Sequence, residues 1–293
     1  MKKKILIISQ NFFPESFPIN DIVFKIKKFS KIVITTFPTY PNYSLFSKFK
    51  RKKFTTDVSN YKKTKIIRIP SYPRKNNKTA NFILTYFTFL FNSAIYSFFF
   101  YKKKIDYIFV YATSPVIQAL IGILLKKIYY RKSKLIIWVQ DLWPESIVET
   151  GYIKNKFLLK IINTLINYIY KNCDIILTQS KSFKENIKKK INNKKIYYLP
   201  NPSKNYYTPN KKNNKIFNIL YAGNLGKIQN LNILLQLSKK LKLQKDINFL
   251  IAGKGPEENK IHQFKKKHKL QNLKILGLKN FEEMKKIYSE SNL

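Results

Sequence analysis

Carboxylates are scarce in this chain. Fifteen Asp and Glu stand against 57 Lys and Arg in 293 residues, a formal net charge of +42. Arginine is scarce as well: only Arg51, Arg68, Arg74 and Arg131 occur, and the remaining basic residues are lysines. Lysine neutralises phosphate, but dedicated readers of nucleic acid rely on the bidentate arginine fork, so a nucleic-acid partner is not expected. The lysines are scattered, and the matching wealth of Asn, Ile, Phe and Tyr suits A/T-rich codons. The charge is therefore read mostly as background, with one consequence: attraction to anionic membrane surfaces. There is one cysteine, Cys173, which excludes an intramolecular disulfide and reads as a buried, inert thiol between a helix and a strand. The two histidines, His262 and His268, are six apart in a lysine-rich helix and give no zinc spacing; no metal is expected. No histidine precedes His262, which excludes histidine chemistry from the N-terminal half. Seven glycines form neither GxGxxG nor GxxxxGK[ST]. The apolar run in MKKKILIIS is too short for a signal peptide and reads as a first strand, implying a cytoplasmic location.

What is present is a regular alternation. Strands are expected at 4–9, 31–36, 65–69, 106–111, 134–140, 174–178 and 195–199, and helices at 18–28, 80–101, 115–129, 155–171 and 180–191. Such alternation predicts an α/β fold with a doubly wound parallel sheet. Residues 38–64 read as a long basic loop. The stretch PNPSKNYYTPNKKNN at 200–214 has prolines and no periodicity, and it marks a boundary between domains 1–205 and 206–293. Alternation then restarts, with strands at 217–222, 247–252 and 273–276 and helices at 229–242, 257–268 and 281–289. Three strands make the second domain an incomplete Rossmann-like sheet.

Residues 82–101, FILTYFTFLFNSAIYSFFFY, carry no charge and are flanked by lysines. Twenty residues suffice to span a bilayer, yet Thr85, Thr88, Asn92, Ser93 and Ser97 dilute the run and aromatics crowd it, as at an interface. A core helix, a surface-docking helix and a span all remain open, the span the least favoured.

The segment IIWVQDLWPESIVET at 136–150 is a buried strand, a polar turn and a helix start. In a carboxylate-poor chain it places Asp141, Glu145 and Glu149 at spacings of four. Ligands of open α/β sheets lie beyond the carboxyl ends of strands, although an acidic first helical turn accounts for the same residues. The arrangement recurs in KILIISQNFFPES at the start, in FNILYAGNLGK at 217–227 and in INFLIAGKGPEE at 247–258. Glycines allow close backbone approach and helix N-termini favour anions. For any one of these turns alone, an ordinary strand-to-helix connection is the better reading.

Taken together, SQNFFPES, TTFPTYPNY at 35–43, VYATSP at 110–115, WVQDLWPES at 138–146, YLPNP at 198–202, YAGNLG at 221–226 and AGKGPE at 252–257 resemble the family-4 glycosyltransferases of the GT-B fold. The nearer likeness is to the branch that builds O-antigen, colanic-acid and capsular polysaccharides, including N-acetyl-L-fucosamine transferases. The resemblance implies a retaining transferase of hexosyl or N-acetylhexosaminyl groups. It would use a nucleotide-sugar donor, with UDP the expected nucleotide, and an undecaprenyl-diphosphate-linked saccharide acceptor. It would need no cofactor and would act at the inner face of the plasma membrane as a peripheral protein. Gly223, Asn224, Gly226 and Lys227 would then serve the diphosphate, and Gly253, Lys254, Gly255, Pro256 and Glu257 the nucleotide. Asp141 and Glu145 would be catalytic, acting on the acceptor hydroxyl, and Glu15 and Asn20 would face the acceptor. The first turn departs from the family pattern in reading ESFPIN, and Gln140-Asp141 stands where many relatives have a histidine. Relatives continue for roughly another hundred residues, as two full domains need, and carry there a Glu-x7-Glu motif that contacts the donor sugar. An incomplete or inactive fragment that binds only membrane and acceptor is therefore the alternative expectation.

Overall fold

A computed structural model of the chain describes residues 2–39, 49, 56–73, 79–97, 104–150, 153, 155–202 and 216–293. The chain divides into two compact units, Met1–Pro202 and Ser203–Leu293. The boundary expected at 205/206 falls outside the described residues.

In the first unit the strands are Lys4–Ile8 (β1), Ser30–Thr36 (β2), Asp57–Tyr61 (β3), Thr64–Ile69 (β4), Tyr107–Ala112 (β5), Lys134–Val139 (β6), Ile175–Thr178 (β7) and Lys195–Tyr198 (β8). The helices are Pro18–Lys25 (α1), Thr79–Ser97 (α2), Ala119–Ile128 (α3), Glu145–Thr150 (α4), Lys156–Asn172 (α5) and Lys181–Lys190 (α6). The eight strands form one sheet in the order β3-β4-β2-β1-β5-β6-β7-β8. All neighbours are parallel except β3 and β4. The chain steps outward from β1 through β2, then crosses to β5 and steps outward the other way, so the switch point lies between β1 and β5.

The strands are nearly continuous apolar runs because both sheet faces are covered. The two-residue period separates them cleanly. Leu6, Ile8, Ile108, Val110, Leu135 and Ile137 enter one core with Phe89 of α2, the apolar side of α3, and Ile166, Ile169 and Tyr170 of α5. Ile5, Ile7, Tyr111 and Trp138 enter the other with Phe12 and with Ile19 and Val23 of α1. Helix α3 sits close to the sheet because Gly122 permits it: a Cβ there would lie 2.9 Å from Val110 and 3.0 Å from Leu135 side-chain atoms. Cys173 ends α5 as a buried thiol whose pKa burial pushes up to about 12.

Strand β3 corrects the reading of 38–64 as loop throughout. Only two of its five residues, Val58 and Tyr61, are apolar or aromatic, and it sits on the sheet edge. The hairpin turn into β4 uses Lys62 (φ 44°) and Lys63 (φ 58°) instead of the asparagine and glycine that announce such turns. Residues 40–48 and 50–55 of that stretch lie outside the described residues.

The second unit has strands Phe217–Ala222 (β9), Ile247–Ala252 (β10) and Leu273–Gly277 (β11), and helices Asn232–Lys240 (α7), Glu258–His268 (α8) and Phe281–Ser289 (α9). The sheet is parallel, ordered β11-β10-β9. Leu225, Leu231, Leu235, Phe249, Ile251, Ile261, Leu270 and Leu273 form its core. Helix α9 opens with a reciprocal capping box between Asn280 and Glu283, which satisfies two otherwise orphaned amides.

Asp174 joins three elements of the first unit. Its carboxylate accepts from Leu135 N at 2.6 Å, at the start of β6, and pairs with Lys126 of α3. Burial opposes ionisation, but the Lys126 and Leu135 hydrogen bonds outweigh it and hold the carboxyl below its ordinary range. A depressed folded-state pKa contributes stability above the unfolded pKa of about 3.9 and loses it as pH falls through the folded value. Asp174→Asn is therefore expected to lower stability at pH 7 and to shrink the difference from wild type below pH 3, measured by urea denaturation across pH.

Candidate functional site

The C-terminal ends of the strands in the first unit carry a network of neutral side chains. Beyond β1, Gln10 N donates to Gln118 Oε1 at 3.0 Å, across the switch point. Gln10 O accepts from Thr35 Oγ1 at 3.0 Å and Thr36 Oγ1 at 2.8 Å, at the end of β2. Beyond β6, Gln140 O accepts from Gln179 Nε2 at 2.8 Å, while Asn201 Nδ2 donates to Gln140 Oε1 at 2.9 Å and Gln179 Oε1 at 3.0 Å. Gln140 Nε2 and Asn201 Oδ1 are buried and take no hydrogen-bond partner among the described residues. Such groups usually find one, so this rim has a donor and an acceptor to spare.

Asp141 follows directly. Its Oδ2 accepts from Ser114 N at 2.9 Å, and Ser114 Oγ accepts from Trp143 Nε1 at 2.8 Å, so the turns after β5 and β6 are tied together. Burial raises the Asp141 pKa, and the Ser114 hydrogen bond only partly offsets it. A partly desolvated carboxylate at a strand's C-terminal end is suited to accept a proton or orient a hydroxyl.

Glu145 is placed differently from expectation. Helix α4 turns it toward the helices behind the sheet, where Oε1 pairs with Lys190 of α6 and Oε2 is buried. Its charge reaches Tyr170 of α5, whose hydroxyl pKa is raised chiefly by burial and then by Glu145. The spacing of four correctly groups Asp141 and Glu145 on the chain, but the turn sends them to different neighbours. Glu15 also lies inside: it is 1% exposed, accepting from Thr39 N at 2.7 Å and Asn11 Nδ2 at 2.9 Å. Asn20 Nδ2 donates to Glu15 O, while Asn20 Oδ1 is buried without a partner among the described residues. Glu15 and Asn20 thus brace the first loop from within instead of facing outward.

In the second unit the two glycine-bearing turns are laced to each other. Gly223 N donates to Ala252 O at 2.9 Å, Leu225 N to Lys254 O at 3.2 Å and Glu257 N to Leu225 O at 2.9 Å. The lacing is so close that side chains are excluded. A Cβ on Gly253, where φ is +148°, would fall 1.8 Å from Gly223 O, and one on Gly255 would fall 2.5 Å from Leu225 O. These two glycines thus have a packing reason that needs no ligand. Tyr221 Oη donates to Asn224 O at 2.7 Å and props the first turn. Gly223, Asn224, Lys227, Lys254 and Pro256 are exposed, while Gly226, Gly255 and Glu257 are partly covered. A small cleft of about 180 Å³ lies against Gly226, Lys227, Asn232, Glu257 and Lys260, with Lys260 paired to Glu257 at 3.1 Å. The arrangement offers turn backbone and two lysines to an anion.

Sequence reasoning missed Gln118, Gln179, Asn201 and Ser114 as members of the rim. Gln118 stands alone at the head of an apolar helix, and Gln179 and Ser114 each lie just past a strand, positions that signal a role only once the strand ends are brought together.

Residues 203–293 match the family model described as glycosyl transferases group 1. No curated protein matches the chain. Several solved structures share its fold. Sucrose-phosphate synthase from Thermosynechococcus elongatus is 14% identical, with a TM-score of 0.71 over 99% of this chain and 74% of that one. Anabaena HepE, solved with UDP and glucose, is 10% identical, with a TM-score of 0.61 over 95% and 70%. The lipopolysaccharide outer core galactosyltransferase WaaB is 13% identical, with a TM-score of 0.56 over 96% and 70%. The fold is α/β and GT-B-like.

Gly253→Ala is expected to destabilise the second unit by more than ~3 kcal/mol, since backbone must move and positive φ is strained. Gly277→Ala, at φ +70° with nothing within 4 Å of its Cβ, should cost only about 1–2 kcal/mol. Urea denaturation of the two variants measures the contrast.

Proposed function

We propose that the protein transfers a sugar from a nucleotide diphosphate, with UDP the first candidate, to an undecaprenyl-diphosphate-linked saccharide, with retention, in the synthesis of a bacterial surface polysaccharide. The observation that carries this reading is the pair of laced turns at the ends of β9 and β10, lying in the segment that matches the group 1 family model. The neighbour solved with UDP and glucose supports the donor class, and the likeness to a lipopolysaccharide outer core galactosyltransferase supports a role in surface polysaccharide.

Departure of a nucleoside diphosphate develops negative charge on the leaving oxygen. Fixed amides and a nearby cation lower that barrier most when they are in place beforehand. The turn 223–227, held by three backbone hydrogen bonds and by Tyr221, is such a fixed frame, with Lys227 as its cation. Gly253 to Glu257 would flank the nucleotide. Asp141 would orient the acceptor hydroxyl and receive its proton, and the spare donor on Gln140 and spare acceptor on Asn201 suit a hydroxyl-rich ligand. Glu145, Glu15 and Asn20 would act by holding the frame.

A lipid-linked acceptor places the enzyme at the inner face of the plasma membrane. Helix α2 fits that role because its polarity is inverted. Thr85, Phe89, Ser93 and Ser97 face inward and are buried, while Ile83, Leu84, Phe87, Phe91 and Ile95 face outward, Phe91 at 67% exposure. An apolar outer stripe suits lipid, not water. Among the described residues no helix is long and apolar enough to cross a membrane. The reading is of a peripheral protein, drawn to anionic lipid by its lysines at on the order of 1 kcal/mol each.

The test is transfer of label from UDP-sugars to undecaprenyl-diphosphate-linked saccharide by protein containing this chain. Asp141→Asn should lower kcat by ~100-fold or more. Because burial raises the Asp141 pKa, its ionisation costs folding stability as pH rises through the folded value. The same variant should accordingly be at least as stable as wild type at pH 7. Lys227→Ala should weaken UDP binding by roughly tenfold, as loss of one charged hydrogen bond does. Undiminished turnover in Asp141→Asn, or no UDP binding by the wild type, would overturn the reading.

A further inference from the structure

Helix α5 carries a second outward apolar stripe that the fold does not use. It begins cleanly, with Asn155 Oδ1 accepting from Phe157 N at 2.9 Å and Leu158 N at 3.2 Å. Phe157, Ile161 and Tyr168, with Thr164 between, recur at spacings of four, three and four and so lie along one face. That face is opposite Ile166, Ile169 and Tyr170, which are buried in the core. Phe157 is 72% exposed and Ile161 49%. Together with Leu165 and Lys160 they line an open groove of about 540 Å³. Tyr168 closes its end, its hydroxyl 3.0 Å from Lys127 Nζ, which also sits 5.2 Å from the ring centre.

The stripe belongs to a layer. Helix α3 packs on α2 at one side and on α5 at the other, and all three share one core on the same face of the sheet. The outer surface of this layer therefore presents the α2 stripe and the α5 stripe on either side of α3. None of the three helices contains a single Asp or Glu, while Lys127, Lys156, Lys160 and Lys171 supply cations. Apolar side chains at the centre with lysines around them complement a surface that is apolar below and anionic above. A second copy of the chain would bring the same lysine rims together at +42 per molecule, which repel.

We propose that α5 is a second membrane anchor: Phe157 and Ile161 insert into an anionic lipid surface beside α2, with Lys160 and Lys127 at the headgroups. Two stripes on one rigid layer fix the orientation of the first unit on the membrane, where a single helix would leave it free to roll. The proposal rests on the peripheral-membrane reading of α2 and refines it.

Flotation with vesicles of phosphatidylcholine, with and without phosphatidylglycerol, tests it. The double variant Phe157→Ser/Ile161→Ser changes exposed side chains, and its fold is checked by circular dichroism and thermal melting. It should bind phosphatidylglycerol vesicles roughly tenfold more weakly than wild type, as should Phe87→Ser/Phe91→Ser in α2. Wild-type binding in the α5 variant with loss in the α2 variant would overturn the second anchor and leave the peripheral reading standing. Wild-type protein that fails to float with anionic vesicles would overturn both. In Phe157→Trp, the added fluorescence should shift to the blue on vesicles and be quenched by brominated lipid, and an unquenched signal would overturn the insertion. Sedimentation supplies the remaining arm. A wild-type dimer that the α5 variant dissociates, with vesicle binding unchanged, would show a contact between copies and overturn the proposal.

Discussion

The parallel pairing of β1 with both β2 and β5 is the constraint on which the larger unit depends. Because the chain leaves β1 toward one edge and returns to its other side, the connections after β1 and β5 diverge and a crevice opens above the switch point. At that rim the Gln10 backbone is satisfied by Thr36 N of β2 and by the neutral side chains of Gln118, Thr35 and Thr36. Ordinary strand ends would be closed by loops or water. A rim built from glutamines and threonines stays rigid while keeping hydrogen-bonding capacity for a polar ligand.

The second unit solves a related problem by contact between turns. Its glycines at 253 and 255 allow the turn after β10 to lie against the backbone of the turn after β9. Each turn is then rigid because the other is, and the lysines they carry are presented on a fixed frame. Preorganisation of this kind matters where charge develops during a reaction. The outer surface of the α2–α3–α5 layer follows a third logic. In α2, hydroxyls point into the protein and large apolar groups point out, which leaves an apolar stripe on the surface.

Much of this was legible in the chain before its structure. The seven parallel strands of the first sheet and the three of the second are short, mostly apolar runs bounded by polar turns, and such runs are legible whatever the tertiary arrangement. The hidden strand β3 was not legible: an edge strand with two polar central residues and a Lys-Lys turn lacks both the burial pattern and the turn residues that betray a hairpin. Among the candidate site residues, the sequence located Asp141 at the strand end where the structure has it, tied to Ser114. It could not separate Asp141 from Glu145, since spacing along a chain says nothing about which way a short helix leaves a turn. Nor could it show that Glu15 is enclosed, because Thr39 reaches its carboxylate only when the ends of β1 and β2 are neighbours.

The sequence by itself determined the α/β alternation, the absence of disulfide and histidine chemistry in the N-terminal half, and the carboxylate-poor, lysine-rich charge. These are properties of composition and period, which every conformation of the chain shares. Tertiary structure alone decided which polar groups meet at the strand ends and which glycines are demanded by packing. It also decided which faces of α2 and α5 look outward. Those depend on distances between residues as far as 108 positions apart, and only the folded sheet, with its fixed strand order, sets them.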